Sequence, residues 1–257
     1  MERRFACTAC GKCCYGLLPL TLDDALAHAG RFPLGVMLTP VRPGHKSFDL
    51  TLRLGSAVRL PNRRQIAVRI SPVSYLPPTL ACPELAADGL CAIHRDKPVR
   101  CRTMPFFAAR DERDQSALLI PRSGWACDVS AAAPVVYRDG AIVARDDFET
   151  EARAMRDQAP ILRAYADTLV ATVPGVVEKL TAAAAKPVGG ELLVGFSTLL
   201  RRLDTVDRAE IAALQVPVLA DVAARTGSDP GFAAFTGQYR TWEQEMARLA
   251  RRGGIGT

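Results

Sequence analysis

Four thiols fall within eight positions near the start of the chain, in the run Cys7-Thr-Ala-Cys10-Gly-Lys-Cys13-Cys14. The other four cysteines are Cys82, Cys91, Cys101 and Cys127, and none lies beyond the midpoint of the 257 residues. Metal binding, disulfides and redox chemistry are the three explanations for such crowding of a soft, easily deprotonated ligand. The first seven residues carry two arginines with no apolar stretch behind them, so a secretory signal is not expected. No run of about 18 uncharged apolar residues occurs, so no membrane span is expected either. These readings point to a cytoplasmic chain with reduced thiols, which leaves metal or redox chemistry.

The spacing narrows the chemistry. Two residues between thiols make a tight turn that directs both sulfurs to one ion, and Cys7, Cys10 and Cys13 repeat that spacing twice. Gly11 supplies the positive φ that such a knuckle often needs. Cys14 is the misfit, because adjacent side chains diverge; it calls for a second metal or a larger cluster. In the second block, Cys82-Pro-Glu-Leu-Ala-Ala-Asp88-Gly89-Leu-Cys91, the Asp-Gly turn brings Cys82 and Cys91 towards each other. Pro98 restricts the approach to Cys101, and Cys127 stands alone behind Trp125. The spacing does not assign the eight thiols to sets. A thioredoxin-type dithiol would need a strand–CxxC–helix setting, which a run crowded by third and fourth thiols lacks.

These residues resemble the CxxCxxCC family, the zinc- or iron-chelating (YkgJ-like) cysteine-cluster proteins. The resemblance rests on Cys7, Cys10, Cys13 and Cys14, then Cys82-Pro83, Gly89-x-Cys91-x-Ile93-His94, Lys97-Pro98-x-x-Cys101-Arg102 and Pro105-Phe106. It covers roughly residues 5–128. The resemblance implies metal binding, as zinc or as an iron–sulfur cluster, with all eight cysteines as candidate ligands. By cysteine pattern a flagellin lysine N-methylase is a distant relative, so methyl transfer enters as an alternative. No glycine-rich nucleotide-type loop supports it independently.

Between the metals, three close cysteines joined by remote ones are nearer to cluster ligation than to the paired CxxC of zinc sites, and a 4Fe–4S cluster is preferred over zinc. The run departs from the bacterial ferredoxin pattern, because Cys14 follows Cys13 directly. The Cys-x3-Cys-x2-Cys spacing of radical S-adenosylmethionine enzymes is also absent. A zinc-stapled structural or interaction module, with a protein partner, is the competing function.

Charge argues against nucleic acid. The formal +6 counts every thiol as neutral, whereas a four-thiolate site holding a divalent metal or a doubly positive cluster core carries about −2. Two such sites would leave roughly +2, and the Arg-Arg pairs are scattered among acids. His94, between Cys91 and Cys101, is a candidate ligand, while His28 and His45 read as structural and exposed. Lys97, Arg100 and Arg102 are candidate donors to the thiolates. Asp23 and Asp24 are accounted for by a helix N-terminus after Thr21.

The expected fold class is α+β. Residues 1–129, with every cysteine and histidine, read as a cysteine-rich metal-binding domain with a small antiparallel sheet. Residues 130–257 read as a helical bundle. A short helix is expected from Thr21 to Ala29, ended by Gly30. Strands are expected at 48–54, 65–70 and 116–121, the first two joined through the turn 61–64, and a hairpin around Asp139-Gly140. Helices are expected at 146–157, 159–171, 174–185, 190–203, 207–226 and 229–251, punctuated by Pro160, Pro174, Pro187 and Gly189-Gly190, with a loose tail from Arg251.

Overall fold

The computed structural model describes residues 2–61, 63–186 and 189–253. Its strands are β1 (Glu2–Arg4), β2 (Leu18–Pro19), β3 (Leu34–Val41), β4 (Ser56–Arg59), β5 (Gln65–Ser74), β6 (Val135–Arg138), β7 (Ala141–Ile142) and β8 (Leu192–Gly195). Its helices are α1 (Leu22–Ala27), α2 (Phe48–Leu54), α3 (Val99–Thr103), α4 (Asp146–Thr172), α5 (Val176–Ala185), α6 (Phe196–Leu200), α7 (Arg208–Thr226) and α8 (Ala233–Gly253). The fold is α+β, with antiparallel sheets concentrated in the N-terminal half and helices in the C-terminal half. No single helix among the described residues is long and apolar enough to cross a membrane.

A five-stranded sheet has the order β2-β5-β3-β8, with β4 on β5 beside β2. A three-stranded sheet has the order β1-β6-β7. The main core joins Leu34, Val36 and Leu38 of β3 and Ile66, Val68 and Ile70 of β5 to Leu162, Tyr165, Leu180, Leu199, Leu219 and Trp242 of the helices. A second core gathers Phe5, Phe106, Leu119, Tyr137, Ile142 and Phe148. Both cores, β1–β6 and β3–β8 cross the compositional border at residue 129.

Several elements form where the local chemistry puts them. The Thr21 hydroxyl accepts from the Asp24 N–H at 3.1 Å and caps α1. Asp139 and Gly140 take φ of 49° and 85° and close the β6–β7 hairpin. The expected turn at 61–64 joins β4 to β5, although its Asn62 lies outside the described residues.

Other elements differ from the pattern. Residues 48–54 form α2 rather than a strand. Asp49 and Arg53, four apart, are the exposed positions, and Thr51 between them is buried, which is helical periodicity. Alternation over seven residues satisfied both readings. Residues 116–119 form a 3-10 turn seeded by Leu118 N–H to Gln115 C=O at 2.9 Å. The two helices expected at 146–157 and 159–171 are one, because Pro160 removes a single backbone donor and the helix runs on through it. The expected helix 190–203 begins as β8. There Gly195 pairs with Gly35 of β3, and a Cβ on either would meet the Trp242 indole of α8 within 3.0 Å. The paired glycines leave the slot that the indole fills. Residues 251–253, expected loose, continue α8; Pro187 and residues 254–257 lie outside the described residues.

Three buried amides lock loops to helices. Gln215 of α7 donates to the carbonyls of Ala29 and Phe32 and accepts from Leu34 N–H at 3.0 Å, which fixes the entry to β3. Gln158 of α4 accepts from Leu22 N–H at 2.6 Å, and Gln115 holds the loop 107–111. Gln215→Leu strands one buried N–H and two carbonyls. It is expected to cost about 3 kcal/mol of unfolding free energy, read as a lower urea midpoint. An unchanged midpoint would show that the amide is dispensable.

Candidate metal centre

Two short antiparallel ladders grip the thiol run at its ends. At one end Ala6 and Asp128 exchange backbone hydrogen bonds of 2.8 and 3.0 Å, and the Thr8 hydroxyl donates to Ala126 C=O at 2.9 Å. This brings Cys7 beside Cys127. At the other end Tyr15 pairs with Ala81, Cys82 N–H donates to Cys14 C=O at 2.8 Å, and Gly16 N–H donates to Leu80 C=O at 3.1 Å. This brings Cys14 beside Cys82. Between the ends the chain turns at Gly11, whose φ is 68° and whose carbonyl accepts from Cys14 N–H at 2.9 Å. A Cβ at Gly11 would stand 3.1 Å from Gly89 C=O, so the knuckle lies directly on the Asp88-Gly89 turn. That turn folds Cys82 towards Cys91 as expected: Leu85 bridges Cys91, and Ala86 N–H donates to Leu90 C=O at 2.9 Å.

Cys101 is delivered by α3, a helix anchored from several sides. The Asp24 carboxylate accepts from Val99 N–H at 3.1 and 3.2 Å, so this residue serves the start of α3 as well as its own helix. Thr103 donates to Asp147 C=O, and Arg102 pairs with Asp147 at 3.0 Å. Arg100 is buried; it pairs with the buried Glu151 of α4 at 3.4 Å and donates to Phe106 C=O.

The thiols fall into two neighbourhoods. Cys14 lies within electrostatic reach of Cys82, Cys91 and Cys101. Cys127 lies within reach of Cys7, Cys10 and Cys13. Cys13 belongs to both: its thiol donates a hydrogen bond to the Cys14 sulfur, and its charge is felt by Cys101 and by Cys10. The adjacent side chains therefore touch rather than diverge. Among the described residues, no three Cys, His, Asp or Glu side chains converge closely enough to hold one metal ion as they stand. The donor set suits a thiolate-ligated group in kind and in neighbourhood.

The metal-free thiols differ in acidity. Cys13 donates to Cys14, which lowers Cys14 and raises Cys13. Backbone N–H donors from Lys12 and Ala126 lower Cys10. Burial pushes Cys82 up to about 11 and Cys101 up to about 12, and it also raises Cys127. Of the cations expected to serve the thiolates, Lys97 acts on Cys13 by charge. Arg100 acts on Cys101 by charge alone, while its hydrogen bonds go to Glu151, Phe106 and Met104. Arg102 is occupied by Asp147 and Lys97 C=O.

His94 is exposed, and its backbone N–H donates to Cys91 C=O at 3.2 Å. His45 is exposed and bonds Ser47, while His28 is buried edge-on to Phe32. Glu151 and the capping role of Asp24 are not legible in the sequence. Both act across contacts of 50 residues or more, with no local pattern to betray them.

In comparisons with protein-family models, with curated proteins and with solved structures, nothing matches this chain.

Two outcomes follow from the geometry. In reduced, metal-free protein at pH 8, iodoacetamide is expected to modify Cys10 more than about tenfold faster than Cys101, since the thiolate reacts and burial keeps Cys101 protonated until the pH nears 12. Equal rates by peptide mass spectrometry would contradict the placement of α3. Glu151→Ala leaves the Arg100 charge buried and unpaired and is expected to cost about 3–5 kcal/mol in chemical unfolding. Arg100→Met with Glu151→Leu should cost far less.

Proposed function

We propose that the chain is a metal-binding protein of the CxxCxxCC kind that holds one or two iron–sulfur clusters through cysteine thiolates. The observation that carries this reading is the double ladder. It brings the two ends of one thiol run to two remote segments that each carry cysteine. The sets that result are Cys14, Cys82, Cys91 and Cys101 on one side, and Cys7, Cys10 and Cys127 with Cys13 on the other. Four thiolates suit a 4Fe–4S cluster. Packing does not account for most of these residues: Cys7 and Cys13 are exposed, and of the six partly buried ones only Cys82 and Cys127 pack against a core.

A cluster so held supplies one-electron chemistry. The chain's part is to hold the thiolates, to place the Lys97 charge beside Cys13, and to keep Cys101 on a buttressed helix. Zinc is the second reading, because the turn between Cys82 and Cys91 is a compact knuckle of the sort that four-thiolate zinc sites also use. As a zinc module the chain would be a structural or interaction protein.

Anaerobic purification with iron, sulfide and zinc analysis decides between them. Brown protein with about equal iron and sulfide is expected, and Cys14→Ser and Cys127→Ser should each remove about half of the iron if the two sets are separate centres. Colourless protein with tightly held zinc would replace the first reading with the second. Full metal retention in Cys10→Ser would defeat both.

A further inference from the structure

The five-stranded sheet carries a half-buried cation, Arg69, with which no acid among the described residues forms an ion pair. Arg69 lies in the middle of β5, directly opposite Thr39 of β3. Its guanidinium carbon stands 5.7 Å from the centroid of the Phe107 ring. Arg100 lies over the same ring at 4.5 Å, and there the charge is matched by Glu151 at 3.4 Å. Arg69 has no such match: among the described residues no carboxylate oxygen lies within 4.0 Å of its nitrogens, and Glu191 acts on it only through charge at longer range. Arg110 adds a second positive charge to the same place. Partial burial lowers the pKa of Arg69 below the ordinary arginine value.

Sheltered charges in folded proteins are paired, because desolvation without a partner is costly. The surroundings are also those of a donor site. Thr39 lies across from Arg69, and Ser71 lies two residues along β5, so both hydroxyl residues share its face of the sheet. The loop that carries Phe107 and Arg110 is held in place by the fully buried Gln115. Its amide donates to Phe107 C=O and Arg110 C=O at 2.9 Å each and accepts from Phe107 N–H at 3.0 Å. Arg69 is not sealed off but half-buried. A ligand has a way in.

We propose that Arg69, Arg110 and the Phe107 ring form a binding site for a small oxyanion, a carboxylate or phosphate group, received by the Arg69 guanidinium. The planar fork of arginine matches both anions through paired N–H···O bonds, and the Phe107 ring lies beside it. The rigid loop means that little order has to be gained on binding. This site is independent of what the thiols hold.

Thermal unfolding of the full chain at constant ionic strength tests it, with inorganic phosphate in one arm, succinate in another and chloride as the reference. A saturable rise in Tm above the chloride series is expected in at least one arm, and which arm responds tells phosphate from carboxylate. Arg69→Met is expected to abolish the rise, and Arg110→Gln to weaken the apparent affinity about tenfold. Arg63→Ala, at the exposed tip of the β4–β5 hairpin, should respond like the parent chain. No rise above chloride in either arm, or a rise that survives in Arg69→Met, overturns the proposal. Should Arg69→Met not fold, Arg110→Gln decides: an unchanged affinity overturns it.

Discussion

The thiol region depends on the pair of backbone ladders that hold residues 6 and 15 to residues 128 and 81. Neither ladder is a sheet. Each consists of two or three hydrogen bonds, worth about 1 kcal/mol apiece net of water. Such a grip is weak for a segment in which every residue from 6 to 17 is exposed or only half buried. What the ladders supply is register. With Ala6 fixed to Asp128 and Tyr15 fixed to Ala81, the run between them has one way to turn, and it turns at Gly11 onto Gly89. A metal group bound across the sets would stabilise an arrangement that the backbone has already aligned.

The remote thiols are placed by stronger means. Cys101 stands on a helix of five residues, too short to persist alone. It persists because Asp24 caps it, Asp147 receives Thr103 and Arg102, and Glu151 meets Arg100 in the core. The same Arg100 reaches on to Phe106, at the start of the loop that Gln115 clamps. One line of buried polar contacts therefore runs from α4 through α3 to the Phe107 loop. The helix that carries Cys101 and the loop that carries Phe107 share this frame. Glu151 is central to it, since its carboxylate also accepts from Ala108 N–H at 3.3 Å.

What the sequence shows of this is what local chemistry decides. The Gly11 knuckle, the Asp88-Gly89 turn, the Thr21 cap and the Asp139-Gly140 hairpin each need a particular residue at a particular φ or at a particular backbone donor, so they can be read directly. The Phe48 to Leu54 stretch misleads because seven residues are too few to separate a period of two from a period of 3.6. Leu192 to Gly195 misleads for another reason: its strand exists because β3 offers an edge and Trp242 fills the slot over two glycines. The division of the thiols is equally hidden. It follows from two ladders that join residues about 65 and 120 positions apart, and no spacing within the run encodes them. Arg69 is hidden most completely, because its contact with Phe107 joins residues 38 positions apart.

The compositional halves do not act separately. A chain ending at residue 129 would leave β1 without β6, the edge of β3 without β8, and the Arg100 charge without Glu151. Each loss bears on a cysteine. β1 runs straight into the ladder that holds Cys7, β3 is backed by the helices that close the core under Cys82, and Arg100 is the neighbour of Cys101. The helical residues thus do for the thiols what they do for the sheet: they supply buried partners that the cysteine-rich half lacks. Coupling of this kind explains why a chain with a core of ordinary size places its cysteines at the margin of that core. There the cysteines stay exposed or half-buried while the backbone behind them is fixed by buried bonds.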